Sequence, residues 1–336
     1  MGLTPLEGAR MKTAMLIFGG MVLAGFLATR ELAASESPAS IVIVVGAGGL
    51  PEYDTQFQLW ASRWKELGKT LGADLTVIGL EHSSKKNDRQ RLQASLEQQL
   101  SPSSTPLILV MLGHGTHGQD VAKFNLKGPD VSADELTTWI GDSPRRVAVI
   151  QCSSASAAFL TQLSAANRII ITATRSRAEQ NFSRFGDFFS SSLTDATADL
   201  DHDHAISLLE SFLFASDRVA RFYEKESRLA TEHSLLDDNG DGRGTASTFF
   251  RGIRAAKAAR DGSDLDGLQA HQIILYRFEE HTPLPPDSLA KRDDLEQRLE
   301  SLRQKKGELD GEQYYLELES LMVQISQLYA ENDDTH

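Results

Sequence analysis

Two strand-like apolar runs, each delivering a reactive side chain at its end, constrain this chain more than any other feature. Leu107-Ile108-Leu109-Val110-Met111-Leu112 passes through Gly113 into His114-Gly115-Thr116-His117-Gly118. Val147-Ala148-Val149-Ile150 passes through Gln151 into Cys152-Ser153-Ser154-Ala155-Ser156. Short apolar runs rich in branched residues and bounded by turn formers read as buried parallel strands. Their carboxyl ends line one edge of an open α/β sheet, where such folds hold their sites. The pattern therefore predicts that His114 and Cys152 meet in space. A thiol needs a neighbouring imidazole to reach its thiolate form near neutral pH, and Cys152 is the only cysteine in the chain. Taken singly, a cysteine is most often a small buried hydrophobe and a strand-end histidine a hydrogen-bonding residue. The pair, each after a buried strand, favours the catalytic reading.

The remaining patterns extend the same architecture. Residues 41–45 read as a first strand running into Gly46-Ala47-Gly48-Gly49. That cluster lacks the G-x-G-x-x-G spacing of a dinucleotide loop, and Leu50-Pro51-Glu52 stands before any helix-opening pattern, so nucleotide binding is disfavoured. Residues 57–71 read as an amphipathic helix, 75–80 as a strand and 87–100 as a charged helix. Ser132 with Glu135 three residues on reads as a helix start, and residues 168–174 as a fifth strand. Residues 206–223 read as a helix and 272–276 as a short strand. The fold class is α/β, a mostly parallel sheet with helices on both faces. Pro283-Leu284-Pro285-Pro286 marks a boundary. Beyond it, leucine-rich stripes over 287–331 predict a helical hairpin or short coiled coil that packs on the body or self-associates.

The order strand–His-Gly, then strand–Gln-Cys, resembles the caspase and legumain clan of cysteine peptidases. His-Gly-x-x-Gly at 114–118 and the serine after Cys152 are most similar to the legumain branch. The resemblance covers roughly residues 41–193, within a peptidase domain placed at 41–280. It implies a caspase-like sheet, His114 as general base, Cys152 as nucleophile, and the backbone N–H groups of Gly115 and Cys152 as an oxyanion hole. It also places the segment carrying Thr174, Arg175 and Arg177 beside the pocket for the residue preceding the cut bond. An arginine there would bind a carboxylate or amide side chain, or else pair with Glu179 or Asp187 at the surface. His117 is at most substrate-proximal. One departure concerns specificity: legumain relatives usually carry an acidic or amide residue and then Ser-Gly after the cysteine, where this chain has Ser153-Ser154-Ala155. The implied activity is an exported cysteine endopeptidase acting on a peptide or protein, with no cofactor required. Transpeptidation through the same acyl-enzyme stays open, as does a non-catalytic calcium-binding scaffold.

Two acidic loops suggest structural calcium. Asp199, Asp201, Asp203, Ile206, Ser207 and Glu210 match positions 1, 3, 5, 8, 9 and 12 of an EF-hand loop, with His204 where glycine normally makes the sharp turn. Asp237, Asn239, Asp241 and Gly242 match only the first half of a second loop, because Thr248 occupies its twelfth position. The alternative is a pair of solvated, helix-capping loops.

A net charge of −13 argues against nucleic acid and an anionic membrane surface, since phosphate binding needs a basic face. Residues 13–28 form an apolar stretch suited to a signal peptide or an uncleaved membrane anchor, followed by a polar linker to residue 40. Export predicts a periplasmic, secreted or membrane-anchored location. A single cysteine offers no internal disulfide, so a free thiol retained there favours a reactive one.

Overall fold

The computed structural model describes residues 39–81, 86–119, 121–256, 265–278 and 284–333. The leader expected at residues 13–28 lies outside them. No helix among the described residues is long and apolar enough to cross a membrane.

The chain enters on β1 (Ser40–Val45) and runs through the glycine turn into α1 (Pro51–Thr70). That helix starts six residues before the amphipathic pattern predicts, at the proline read as an interruption. Proline suits the first helical position because its missing N–H would have no intrahelical partner there and its φ is already helical. Next come β2 (Asp74–Ile78), α2 (Asp88–Gln99) and β3 (Leu107–Leu112). After β3 the chain forms a small antiparallel sheet of β4 (Gly115–Gly118), β5 (Val121–Phe124) and β6 (Val131–Ser132). The short helix α3 (Ala133–Ile140) opens on the expected reciprocal cap between Ser132 and Glu135. β7 (Val147–Gln151), α4 (Ala157–Leu163) and β8 (Arg168–Thr172) complete the parallel part.

The second half carries α5 (Phe185–Ser192), β9 (Ala205–Ser207), α6 (Leu208–Lys225) and β10 (Leu235–Asp237). A ribbon of β11 (Phe250–Arg251) and β12 (Arg254–Ala255) follows, then α7 (Leu268–Gln272) and β13 (Ile274–Arg277), which pairs with β9. The chain closes on α8 (Pro286–Gln304) and α9 (Gly311–Asp333).

The main sheet has the order β10-β8-β7-β3-β1-β2, parallel except for the edge strand β10. Its inner strands are apolar apart from Ser40, Gln151, Arg168 and Thr172 at their ends, because both faces are covered. On one face Ile43, Val110, Ile150 and Ile171 pack under α1, α5 and α6. On the other Val44, Leu109, Val149 and Ile170 pack under α2, α3 and α4. The sheet thus meets the expected α/β design, with helices on both faces. The C-terminal helices form the expected hairpin around Leu295, Leu299, Leu302, Tyr314, Leu321 and Leu328. This hairpin packs on the body: Gln272 donates to the Asp293 carbonyl, and α7, α8 and α9 enclose a cavity of about 230 Å³.

Winding sets the place of the site. From β1 the chain steps outward to β2, then returns across β1 to β3 and continues through β7 to β8. The direction of winding reverses between β1 and β3, and the loops leaving their carboxyl ends diverge there to open a crevice.

Candidate active site

Adjacent parallel strands carry the two reactive residues to that crevice. β3 and β7 pair in register from Leu107 opposite Val147 to Met111 opposite Gln151. The ladder continues one step further, where the Cys152 amide donates to the Met111 carbonyl at 3.0 Å. Cys152 therefore stands level with Leu112, one pleat below His114, and its side chain belongs to the α1 and α5 face. Alternation along a strand puts residues 112 and 114 on one face, and the His114 ring indeed packs against aromatic residues of α1.

The loops after β3 and β7 are in direct contact. A Cβ at Gly115 would lie 2.2 Å from the Ser154 carbonyl oxygen and 2.6 Å from the Ser153 hydroxyl, so only glycine allows this approach. The Ser154 hydroxyl donates to the Gly115 carbonyl at 3.1 Å and lies 3.4 Å from its amide. Ala155 turns the chain at φ 51°, and its amide donates to the Glu179 carbonyl at 2.8 Å. The turn that follows the cysteine is thus tied to the histidine loop on one side and to the segment after β8 on the other.

His114 is half-buried. Its ring meets Tyr53 edge-on at 4.9 Å between centroids, with Phe57 at 5.2 Å and Phe182 at 5.9 Å. Its Nε2 lies 3.1 Å from the Gly48 carbonyl oxygen. A carbonyl only accepts, so Nε2 carries the proton and the neutral ring keeps its lone pair on Nδ1. Burial lowers the His114 pKa, against the opposing pull of the Gly48 carbonyl and Asp54. Asp54 also receives the Gly48 amide at 3.1 Å, which fixes the glycine turn to the first turn of α1.

Cys152 is fully buried. Gly186 and Trp60 close over it: a Cβ at Gly186 would fall 2.9 Å from the Cys152 Cβ and 2.8 Å from the Trp60 ring. Burial pushes the thiol far up, and the nearby Glu232 carboxylate adds to the shift. Glu232 is itself buried and accepts from the Ser183 hydroxyl at 2.7 Å, the Phe185 amide at 3.1 Å and the Tyr223 hydroxyl at 3.2 Å. It also takes the Arg184 amide at 2.9 Å. Glu232 thereby anchors the start of α5, the segment that covers the thiol.

Other expected site residues take different places. The Cys152 amide is spent on the sheet ladder, so the oxyanion pair with Gly115 is not assembled in this structure. Thr174 is fully buried, and its hydroxyl binds Ser156 at 3.1 Å and the Ala157 amide at 3.2 Å. It holds the start of α4 instead of lining a pocket. Arg175 is exposed, with its Nε 3.6 Å from Glu179, the surface pairing that the sequence offers as the alternative. Glu179 also takes His233 Nδ1 at 2.6 Å. His117, Gln119, Arg177, Ala178 and Gln180 border an open depression of about 430 Å³. Sequence patterns missed Trp60, Phe182, Ser154, Gly186 and Glu232, whose roles arise only from tertiary contact. Tyr53 and Phe57 carried a weak signal, as aromatic residues a turn apart near the start of α1.

Of the acidic loops, the first brings Asp199, Asp201 and Asp203 together, with an oxygen of each within 4.8 Å of the others. His204 adopts φ 63°, so the sharp turn forms without glycine. Glu210 caps α6, accepting from the Ser207 amide and hydroxyl, both at 2.8 Å. In the second loop Asp237 accepts from the Gly240 and Gly242 amides, Asn239 from the Asp241 amide and Asp241 from the Arg243 amide.

No protein-family model matches the chain, and no curated protein matches it by sequence. Among solved structures it is similar to caspase-1 from Spodoptera frugiperda, at 12% identity over 60% of this chain and 87% of that one, with a TM-score of 0.37. It is similar to the Drosophila initiator caspase Dronc at 14% identity, covering 70% and 92% with a TM-score of 0.40. Pro-sf-caspase-1 aligns at 13% identity, covering 60% and 90% with a TM-score of 0.38.

Proposed function

We propose that this chain is a cysteine endopeptidase of the legumain-like type, acting on a peptide or protein through Cys152 and His114. The observation that carries the reading is the junction of the two loops. Gly115 and Ser154 hold the ends of β3 and β7 together, on one face of the sheet, with the His114 lone pair left on Nδ1 by the Gly48 carbonyl.

In this reading Cys152 Sγ attacks the peptide carbonyl carbon as its proton passes to His114 Nδ1. The tetrahedral oxyanion collapses to a thioester, and the C–N bond breaks as His114 returns that proton to the leaving amine. Water then attacks the thioester, giving a proton to Nδ1, and the carboxylic acid leaves as Cys152 recovers its proton from His114. An imidazole kept neutral by burial suits the base role. The buried thiol reacts only once substrate, or a shift at the start of α5, displaces the Gly186 and Trp60 cover. The apolar segment at residues 13–28 supports export of the enzyme.

The burial of Cys152 and the upward push on its thiol favour a second reading, a non-catalytic scaffold on the same fold. The two separate by labelling the full chain with electrophilic peptide probes bearing Asn, Asp or Arg before the reactive group. The endopeptidase adds one probe mass at Cys152, prefers one probe, and loses labelling in His114→Ala and Cys152→Ala. A scaffold takes up no probe, or labels independently of His114.

A further inference from the structure

We propose that residues 199–210, the loop before β9 together with β9 and the first turn of α6, form a calcium site built on Asp199, Asp201, Asp203 and Glu210. The inference is independent of the chemistry assigned to Cys152. Three carboxylates gather an oxygen each within 4.8 Å. At neutral pH their mutual repulsion is a standing cost unless a cation sits among them.

Asp199 supplies the second, separate indication. It is only 8% exposed, and its Oδ1 is buried with no hydrogen-bond partner. Its other oxygen accepts from the His204 amide at 3.2 Å. A buried carboxylate oxygen without a donor is costly to maintain in a folded protein, and a bound cation satisfies it. The basic groups facing the cluster do not replace that cation. His271 Nε2 stands 3.9 Å from Asp201 Oδ2, beyond hydrogen-bond distance, and Arg277 acts on Asp203 alone, so it offsets one of the three carboxylates at most.

The donors identify the ion. Carboxylates at the first, third, fifth and twelfth positions form an all-oxygen set, which selects a hard cation. Asp201 and Asp203 also accept loop amides, Asp203 N at 3.2 Å and Ala205 N at 2.9 Å, so the backbone fixes both carboxylates. Such a set, drawn from one loop, fits calcium, which tolerates six to eight oxygens in irregular geometry. Magnesium demands a near-ideal octahedron and retains water. Glu210 closes the loop: it is buried, and its Oε1 receives the Leu200 amide at 2.8 Å.

Isothermal titration of the purified full chain with calcium chloride tests the assignment, alongside melting curves with and without the ion. Asp201→Asn and Asp203→Asn alter exposed side chains and keep their size, and circular dichroism checks that each variant folds. Asp241→Asn in the second loop is the control. The expected result is a calcium ion bound with a Kd of about 1 mM or tighter, a melting temperature raised by calcium, and affinity weakened at least tenfold by either substitution but not by Asp241→Asn. No heat and no change in melting with calcium in roughly tenfold excess over that Kd overturns the proposal. Binding unchanged in both Asp201→Asn and Asp203→Asn overturns it too, as does equal or tighter binding of magnesium or zinc at the same loop.

Discussion

The Nε2 of His114 lies 3.1 Å from the carbonyl oxygen of Gly48, a bond that spans the point where the sheet reverses its winding. That contact selects the ring tautomer, so its disruption should cost activity before it costs the fold. A Cβ at Gly48 would sit 2.5 Å from the Asp54 amide and 2.6 Å from its carboxylate. Gly48→Ala is expected to push the glycine turn off α1, destabilising the protein by about 1–3 kcal/mol. It should also lower peptidase kcat at least tenfold; urea denaturation and steady-state kinetics measure the two effects.

The acidity of His114 gives a pH dependence with a definite sign. Burial lowers its pKa below the free value, so between the two values the unfolded chain binds the proton and the folded protein does not. The neutral ring therefore contributes stability above about pH 6.5, and this is lost as pH falls towards the folded pKa. His114→Asn should show a weaker loss of stability than wild type between pH 7.5 and pH 5 (about one unit above and one and a half below the free imidazole value) in urea denaturation. An identical loss in both proteins would show that His114 does not carry this dependence.

The covered thiol predicts slow chemistry in the resting protein. Cys152 should react with iodoacetamide at least tenfold more slowly in the native chain than in urea. Trp60→Ala removes one wall of the cover and should restore much of that rate, at a stability cost of about 3–5 kcal/mol. Intact-mass kinetics measure both.

Glu232 holds that cover in place. Glu232→Ala strands the Ser183 hydroxyl and the Arg184 amide without their acceptor and leaves the Phe185 amide only the Ser183 hydroxyl oxygen at 3.3 Å. The expected cost is about 2–4 kcal/mol, read by chemical denaturation, with faster alkylation of Cys152 as the start of α5 loosens.

Much of this was legible in the chain. The apolar runs at 107–112 and 147–150, their order and the Ser132–Glu135 cap locate the sheet and place His114 and Cys152 at one edge, because burial on both faces writes itself as unbroken branched residues. Pro51 was misread, since the same residue that ends helices also starts them. The strand read at 272–276 forms as Ile274–Arg277, but its partner at Ala205 and the short strands after His114 carry too few residues for a periodic signal. Thr174 was legible as a strand end but not as a buried partner of Ser156, and nothing local marks Gly186, Trp60 or Glu232 as the cover over the thiol. Those depend on which helices the sheet brings together.

The central claim is that Cys152 and His114 cut peptide bonds as a pair. The most direct measurement incubates the full-length protein with a proteome-derived peptide mixture at neutral pH and identifies new termini by mass spectrometry, beside Cys152→Ala and His114→Ala. The account predicts cleavage after a restricted set of residues, abolished by Cys152→Ala and reduced on the order of 100- to 10,000-fold by His114→Ala. New termini at equal rates in all three proteins, or none with the wild-type chain, would contradict it.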